Sequence, residues 1–544
     1  MDYDFVVIGS GFGGSVSALR LAEKGYRVLV VEQGRRWTAA SLPHSSWDLR
    51  RWLWRPEWGL RGFFSMRFFR HVVVLHGNAL GGGSIAYANT LLVPPASVWR
   101  QGSWAGLNEW ERVMPDHYAT AKRMLGVAAN RRPGPADHRL QRLAALAGVE
   151  DSFYLTDVGV FFGDDGDPGG TAYGDPFFAG EGPPRQSCTG CGGCMVGCRY
   201  DAKNTLDKNY LYLAERKGAE ILVETKAVDV RPRSGAADGA DGYEVEIVSR
   251  RGLFRQSRRR LTARGVVLAA SSLGTQDLLF RLKDRGSLPR ISDALGAQVR
   301  TNAESLIGVR YPRSDADLSQ GIAIGSGVYL DEHTHIEAVR YPAGSDSMGL
   351  LTTLMEIGGK GRGRRTAWLA ALLRQLLTRP LATVRVLWPA NFARETMILL
   401  CMQTLDGHLT MRWKRRWLWP FAKHLATEGT KIPAFIPQAN AFAAKGAQAT
   451  GGVALTSISE MLLTIPMTAH CMGGAAMGHN RSDGVCDGRN RMFGYRNMYI
   501  CDGSMLGANL GVNPSLTITA LTEHAMSHIP SADRQSWDAT GEET

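Results

Sequence analysis

Residues 5–32 restrict what this chain can fold into more than any other stretch. Phe5-Val6-Val7-Ile8 is a short, wholly apolar run of β-favouring residues, the pattern of a buried parallel strand. Gly9-Ser10-Gly11-Phe12-Gly13-Gly14 follows at once. Ser15 to Lys24 then carries an apolar side through Ala18, Leu19, Leu21 and Ala22, and Tyr26 to Glu32 supplies a second strand that ends in an acid. Each part has a physical task. Gly9 makes the tight turn, Gly11 lets the backbone approach a pyrophosphate, and Gly14 lets helix and strand pack closely. The helix N-terminus offers free N–H groups to phosphates. Glu32, about 20 residues on, can accept from ribose hydroxyls and disfavours a 2′-phosphate. The unit predicts an α/β Rossmann-like domain that binds a dinucleotide other than NADP, with FAD and NAD both open.

Later motifs narrow the choice. Gly77-Asn78-Ala79-Leu80-Gly81-Gly82-Gly83-Ser84 is a second glycine loop. Near the far end stand His470-Cys471-Met472-Gly473-Gly474, then Asn497 to Ser504, then Gly511-Val512-Asn513-Pro514-Ser515. The ordered set resembles the glucose–methanol–choline oxidoreductase family, and within it the cholesterol oxidase-like branch. The resemblance implies an FAD-binding Rossmann-like domain joined to an α+β substrate domain with its own sheet. It implies a discontinuous FAD domain at 1–36, 70–96, 200–310 and 464–530, and a substrate domain at 97–199 and 311–463. It also implies FAD contacts at Gly81, Gly82, Gly83 and Ser84, adenine support at Val228, and further contacts at Gly274, Asp502 and Gly503. His470 and Asn513 would form the active-site pair. The sequence departs from the branch in three places. Tyr87 stands where the pattern has Asn, with Asn89 two residues on as the substitute contact. Cys471-Met472 replaces Pro-Leu after the histidine. The branch's active-site glutamate has three unranked candidates, Glu304, Glu337 and Glu356.

The residue types suit alcohol oxidation, which removes a proton from oxygen and a hydride from carbon. An imidazole titrates near neutrality and can take the proton. A carboxamide cannot titrate but can bind the oxygen as charge develops.

A second signal is independent of the first. Cys188-x-x-Cys191-x-x-Cys194-x-x-x-Cys198 has the spacing of a bacterial iron–sulfur run, although Arg199 rather than Pro follows it. The expectation is a [4Fe–4S] cluster on four thiolates or a [3Fe–4S] on three, with a four-thiolate zinc site as the competitor. A cluster would let electrons leave to an acceptor protein or quinone.

The formal net charge of +12 is largely arginine. No zinc-finger, RNA-recognition or lysine-tail signature accompanies it, which argues against nucleic acid. Arg and Trp interleave at Trp47 to Arg55, leading to Phe63, Phe64, Phe68 and Phe69, and again at Trp413 to Trp419. Such patches suit a membrane surface or an inward-packed domain face. Trp368 to Val386 reads as an amphipathic helix too interrupted by charge and Pro380 to span a bilayer. The start at Met1-Asp2-Tyr3-Asp4 predicts no secretory signal and a cytoplasmic setting, with contact to the inner membrane face. Ser234 to Gly242 reads as a hairpin loop and 531–544 as a polar tail. The substrate expected is a lipophilic, sterol-like secondary alcohol. The alternatives are a sugar dehydrogenase of the same family, an electron-transfer flavoprotein without an alcohol site, and a lipid-binding protein with structural FAD.

Overall fold

The computed structural model describes residues 1–251, 255–358, 362–415, 422–429 and 432–533. Strand Tyr3–Ile8 is the expected buried strand, with Phe5, Val6 and Val7 fully enclosed. It lies between two parallel neighbours, Val28–Val31 and the C-terminal part of Arg255–Leu268. Glu220–Leu222 extends one side of this seven-stranded sheet. On the other side, Arg255–Leu268 pairs antiparallel with Tyr243–Arg251, which pairs with Thr225–Pro232. Residues Ser234 to Gly242 join those two strands, as the hairpin reading expects. Met498–Ile500 returns from the far end of the chain to pair parallel with Val266–Leu268.

Helix Phe12–Glu23 packs on this sheet, with Val16, Leu19 and Leu21 fully buried. The close approach needs glycine. A Cβ on Gly14 would lie 2.1 Å from the carbonyl oxygen of Gly9, nearer than any side chain tolerates.

A second seven-stranded sheet is antiparallel, as hairpin-type connections allow. Its order is Thr352–Leu354, Val453–Ser457, Ser305–Arg310, Thr396–Gln403, Thr334–Val339, Ile324–Tyr329 and Tyr154–Leu155. Helix Pro135–Ala147 is tied to it by a fully buried pair, Arg340 to Asp137 at 2.5 Å. Asp137 also caps the helix at Gly134 N–H and accepts from Ser326, so neither partner is left unpaired. A three-stranded sheet, Phe64–Phe68, Val73–Gly77 and Met467–Thr468, bridges the two layers.

Much of the aromatic-rich segments packs inward, the second of the two readings. Trp52 is buried and stacks on Phe64 with ring centroids 4.5 Å apart, Phe63 is enclosed, and Trp413 stacks on Phe280. Of the aromatic residues in the first region, only Trp47, Trp58 and Phe68 are exposed. Trp417 and Trp419 lie outside the described residues, as does 534–544 of the expected tail. The expected helix over 368–386 is two helices, Arg362–Thr378 and Pro380–Leu387. Pro380 lacks the N–H a continuous helix needs and serves instead as the first residue of the second. Among the described residues no helix is long and apolar enough to cross a membrane.

Candidate active site

One cavity of about 1120 Å³ runs from the glycine loops to the second sheet. Its first end is made by Gly9, Gly11, Glu32, Gly82, Gly83, Val228, Gly274, Asp502 and Gly503, all expected from sequence. Gly11 is decisive there. A Cβ at Gly11 would meet nothing within 4 Å, so its backbone faces open space at the N-terminus of helix Phe12–Glu23. That is the cradle a pyrophosphate fills. Glu32 sits at the strand end with its carboxylate accepting from Ser10 N–H, Ser10 Oγ and Gly34 N–H. Asp502 is held by Thr275 and Ser504. These residues fit an FAD laid along the loops.

Gly14, Gly81 and Ser84 shape the loops without lining the cavity. Gly81 N–H donates to Ser10 Oγ, while Ser84 Oγ donates to Gly81 O and accepts from Leu206 N–H. Asn89 does not reach the cavity either, and its buried carboxamide makes no hydrogen bond. Tyr87 lines the wall instead, anchored through its hydroxyl to Asn204 O.

His470 and Asn513 meet at the other end. Strand Met467–Thr468 pairs with Val73–Gly77 and delivers His470, whose N–H donates to Thr468 Oγ1 at 2.8 Å. Asn513 sits just before helix Ser515–Ser527, on a loop fixed by Asn302: its Nδ2 donates to Val512 O and its Oδ1 accepts from Gly511 N–H. Asn513 Nδ2 lies 3.5 Å from His470 Nε2 and donates to Glu337 Oε2 at 3.2 Å. Sequence reasoning missed Asn302, which carries no motif.

Two of the three glutamate candidates converge here. Glu304 Oε1 is 3.4 Å from His470 Nδ1, and its Oε2 accepts from Thr468 Oγ1 and Ala469 N–H. Glu337 holds Asn513. Glu356 is elsewhere, accepting from Gly358 N–H. Burial pushes both inner carboxyls up to about 8 and holds His470 down at about 4. The 3.4 Å approach therefore joins two neutral groups without hydrogen-bond geometry, and it is not an ion pair. With Asn513 donating toward Nε2, the single proton of neutral His470 belongs on Nδ1 and Nε2 is the accepting nitrogen. His470 Nδ1, Asn513 Oδ1 and Glu337 Oε1 are buried without a hydrogen-bond partner in the protein.

Cys188, Cys191, Cys194 and Cys198 line a separate cavity of about 20 Å³, and all are free thiols. Among the described residues no three His, Cys, Asp or Glu side chains converge to hold a metal ion. That grouping supports neither the expected iron–sulfur cluster nor the zinc alternative. Four thiolates on one zinc sit about 3.8 Å apart, given Zn–S bonds of about 2.3 Å.

A nucleotide-binding sheet with an imidazole–carboxamide pair facing the same cavity defines an FAD-dependent oxidoreductase acting on CH–OH groups. The comparisons agree. Residues 7–75 match the NAD(P)-binding Rossmann-like domain, and 422–522 match the GMC oxidoreductase model. The chain is 56% identical over 97% of its length to a cholesterol oxidase of Acinetobacter baumannii, covering 94% of that protein. It is 44% identical to a cholesterol oxidase of Mycobacterium tuberculosis over 97% of this chain and 91% of that one. Among solved structures, pyridoxine 4-oxidase from Mesorbium loti shares the fold at TM-score 0.60 and 15% identity, over 96% of this chain and 98% of that one. The chain belongs to the GMC oxidoreductase family.

Proposed function

We propose that this chain oxidises a lipophilic, sterol-like secondary alcohol at the His470–Asn513 pair. The observation that carries this reading is the apolar lobe onto which the pair opens. Leu306, Ile324, Val339, Met348, Ile398 and Leu400 line it, and Glu304 is the acidic side chain that joins them. A sugar would leave its hydroxyls unpaired on such walls. Relatives named cholesterol oxidases support the same substrate class.

Bound flavin supplies a hydride acceptor at N5. The chain's residues do the rest. His470 Nε2 takes the hydroxyl proton, which its low pKa leaves it free to do across the neutral range. One Asn513 Nδ2 hydrogen stays on Glu337 Oε2, and the other, which points at His470 Nε2 before substrate binds, turns to the substrate oxygen as negative charge builds there. Glu304 and Glu337 stay neutral, so no carboxylate opposes that charge. Anaerobic addition of a sterol alcohol should bleach the flavin bands, and a sugar panel should not. Bleaching by sugars alone would sink the substrate assignment.

The same groups fix the pH profile. Below about 4 His470 is protonated and cannot accept a proton; above about 8 the two glutamates ionise beside the reacting oxygen. The kcat/KM is expected to hold between those limits and fall on both sides. A single rise centred near 6.5 would contradict it.

Access from a lipid bilayer is part of the reading. Leu377 and Leu381, 84% and 86% exposed, stand on the helix pair 362–387, with exposed Trp388 directly after it. From Lys360 to Arg394 the chain carries basic residues and no acidic one. The inner face packs through Leu372, Val386 and Leu387 on the cluster containing Tyr341 and Met348, both of which line the cavity. Apolar side chains ringed by arginine suit anionic lipid. Leu377→Glu with Leu381→Glu should weaken sedimentation with anionic vesicles at least tenfold and leave turnover of detergent-solubilised alcohol unchanged.

A further inference from the structure

We infer that the loop Cys188 to Cys198 holds a [4Fe–4S] cluster beside the flavin cavity. The case rests on geometry and charge, and it needs no assumption about the alcohol.

The four cysteines converge on one small cavity. Cys188, Cys191, Cys194 and Cys198 line the same small cavity with Gly192, Gly193, Gly321 and Lys203. In a [4Fe–4S] cluster each of the four thiolates binds a different iron, which is the ligand count this loop offers. The chain is shaped to wrap that void. Gly190, Gly192 and Gly197 have φ of 69°, 67° and 85°. A Cβ on Gly192 would lie 2.3 Å from Ser319 O. Backbone N–H groups already face sulfur: Gly190 donates to Cys188 Sγ at 3.4 Å. Such bonds stabilise thiolates and tune a cluster's potential.

The charge is the second, independent observation. Lys203 is 1% exposed, and its Nζ donates only to carbonyl oxygens: Cys194 O at 2.7 Å, Ile85 O at 2.8 Å and Tyr87 O at 3.3 Å. Arg185, 2% exposed, donates to Asp201 O and Ala202 O. The nearby carboxylates of Asp201 and Asp207 are paired with Lys208 instead. Two buried cations thus border four sulfurs with no carboxylate in contact. With neutral thiols the two cations would be offset only by the more distant Asp201 and Asp207, which share Lys208; thiolates beside them lower the cost of burying both charges. Four thiolates around a [4Fe–4S]²⁺ core carry two net negative charges, matching the two cations. Binding releases the four thiol protons.

The site adjoins the flavin. Met195, next to Cys194, lines the large cavity, as does Tyr87. Lys203 ties the carbonyl of Cys194 to those of Ile85 and Tyr87 in the second glycine loop.

The test uses the intact protein purified without oxygen. Iron, acid-labile sulfide, zinc and FAD are measured on one sample, with an electron paramagnetic resonance spectrum before and after dithionite. About four iron and four sulfide per chain are expected, together with a paramagnetic signal on reduction. FAD-replete protein lacking iron and sulfide, or carrying zinc instead, overturns the cluster while leaving the flavin reading intact. Cluster-replete protein without FAD does the reverse. Cys191 is the exposed member of the set, so Cys191→Ser disturbs packing least. It should retain FAD and drop to about three iron per chain, a [3Fe–4S] species. Iron unchanged in Cys191→Ser would overturn its assignment as a ligand.

Discussion

His470→Asn should yield a folded, yellow protein whose kcat on its alcohol falls about 10²- to 10⁴-fold. The size of the effect follows from the surroundings. His470 offers a lone pair at Nε2 while its Nδ1 faces Glu304, a carboxyl held neutral by burial. Asn at this position keeps the backbone hydrogen bond to Thr468 and about the same volume, but it has no proton acceptor of comparable basicity. The flavin-binding glycines lie at the other end of the cavity, so the flavin spectrum should not change. The acid limb of the pH profile should vanish with the imidazole that creates it. A variant within threefold of the parent at neutral pH would remove His470 from proton transfer. Glu304→Gln is the companion measurement: it keeps the shape of a group already neutral, so kcat should change little and the alkaline limb should shift.

Two glycine substitutions should separate folding from flavin binding, and theirs is the other large effect. Gly11→Val should fold with a Tm close to the parent's and lose FAD affinity by a factor of 100 or more, on the order of 3 kcal/mol. Its new side chain enters open space in the apoprotein and occupies the path of the pyrophosphate. Gly14→Val should fail earlier. Its Cβ would press to 2.1 Å from Gly9 O and 3.1 Å from Ala269 Cβ, forcing helix and sheet apart. Overpacking of this kind costs about 1–3 kcal/mol or more. Thermal unfolding and flavin fluorescence, read on the same samples, distinguish the two. Equal flavin retention by Gly11→Val and the parent would place the pyrophosphate elsewhere.

The parts of this molecule that could be read from sequence are those whose physics is local. Phe5 to Glu32 announces strand, turn, helix and strand within 28 residues, and every step is dictated by neighbours in the chain. His470 and Asn513 were legible only as motif members, since nothing in either segment says that they meet. The glutamates show why the rest was hidden. Glu304 just precedes strand Ser305–Arg310 and Glu337 lies in Thr334–Val339, and strand Thr396–Gln403 stands between those two. Their approach to the pair is set by the register of an antiparallel sheet assembled from distant segments, which no local pattern encodes. The Trp52 segment left two readings open for a related reason. Trp with Arg reads as amphipathic at any surface, and only the stacking on Phe64 reveals that the ring points inward. Asn89 was inferred by offset from a family pattern, whereas the wall position went to Tyr87.

Strand Arg255–Leu268 is hydrogen-bonded to Tyr3–Ile8 on one edge of its final turns and to Met498–Ile500 on the other. During synthesis the ribosome therefore releases the amino-terminal glycine loop almost a full chain length before the segment that closes its sheet. Until residue 500 has emerged, the nascent polypeptide lacks both that closing edge and the Asp502 wall. The apolar edge of Val266 to Leu268 stays open meanwhile, a place where chaperones or aggregation compete for the chain. Cofactor capture in the cell is accordingly a late, essentially post-translational event, and carboxy-terminal truncations should accumulate as colourless, insoluble protein.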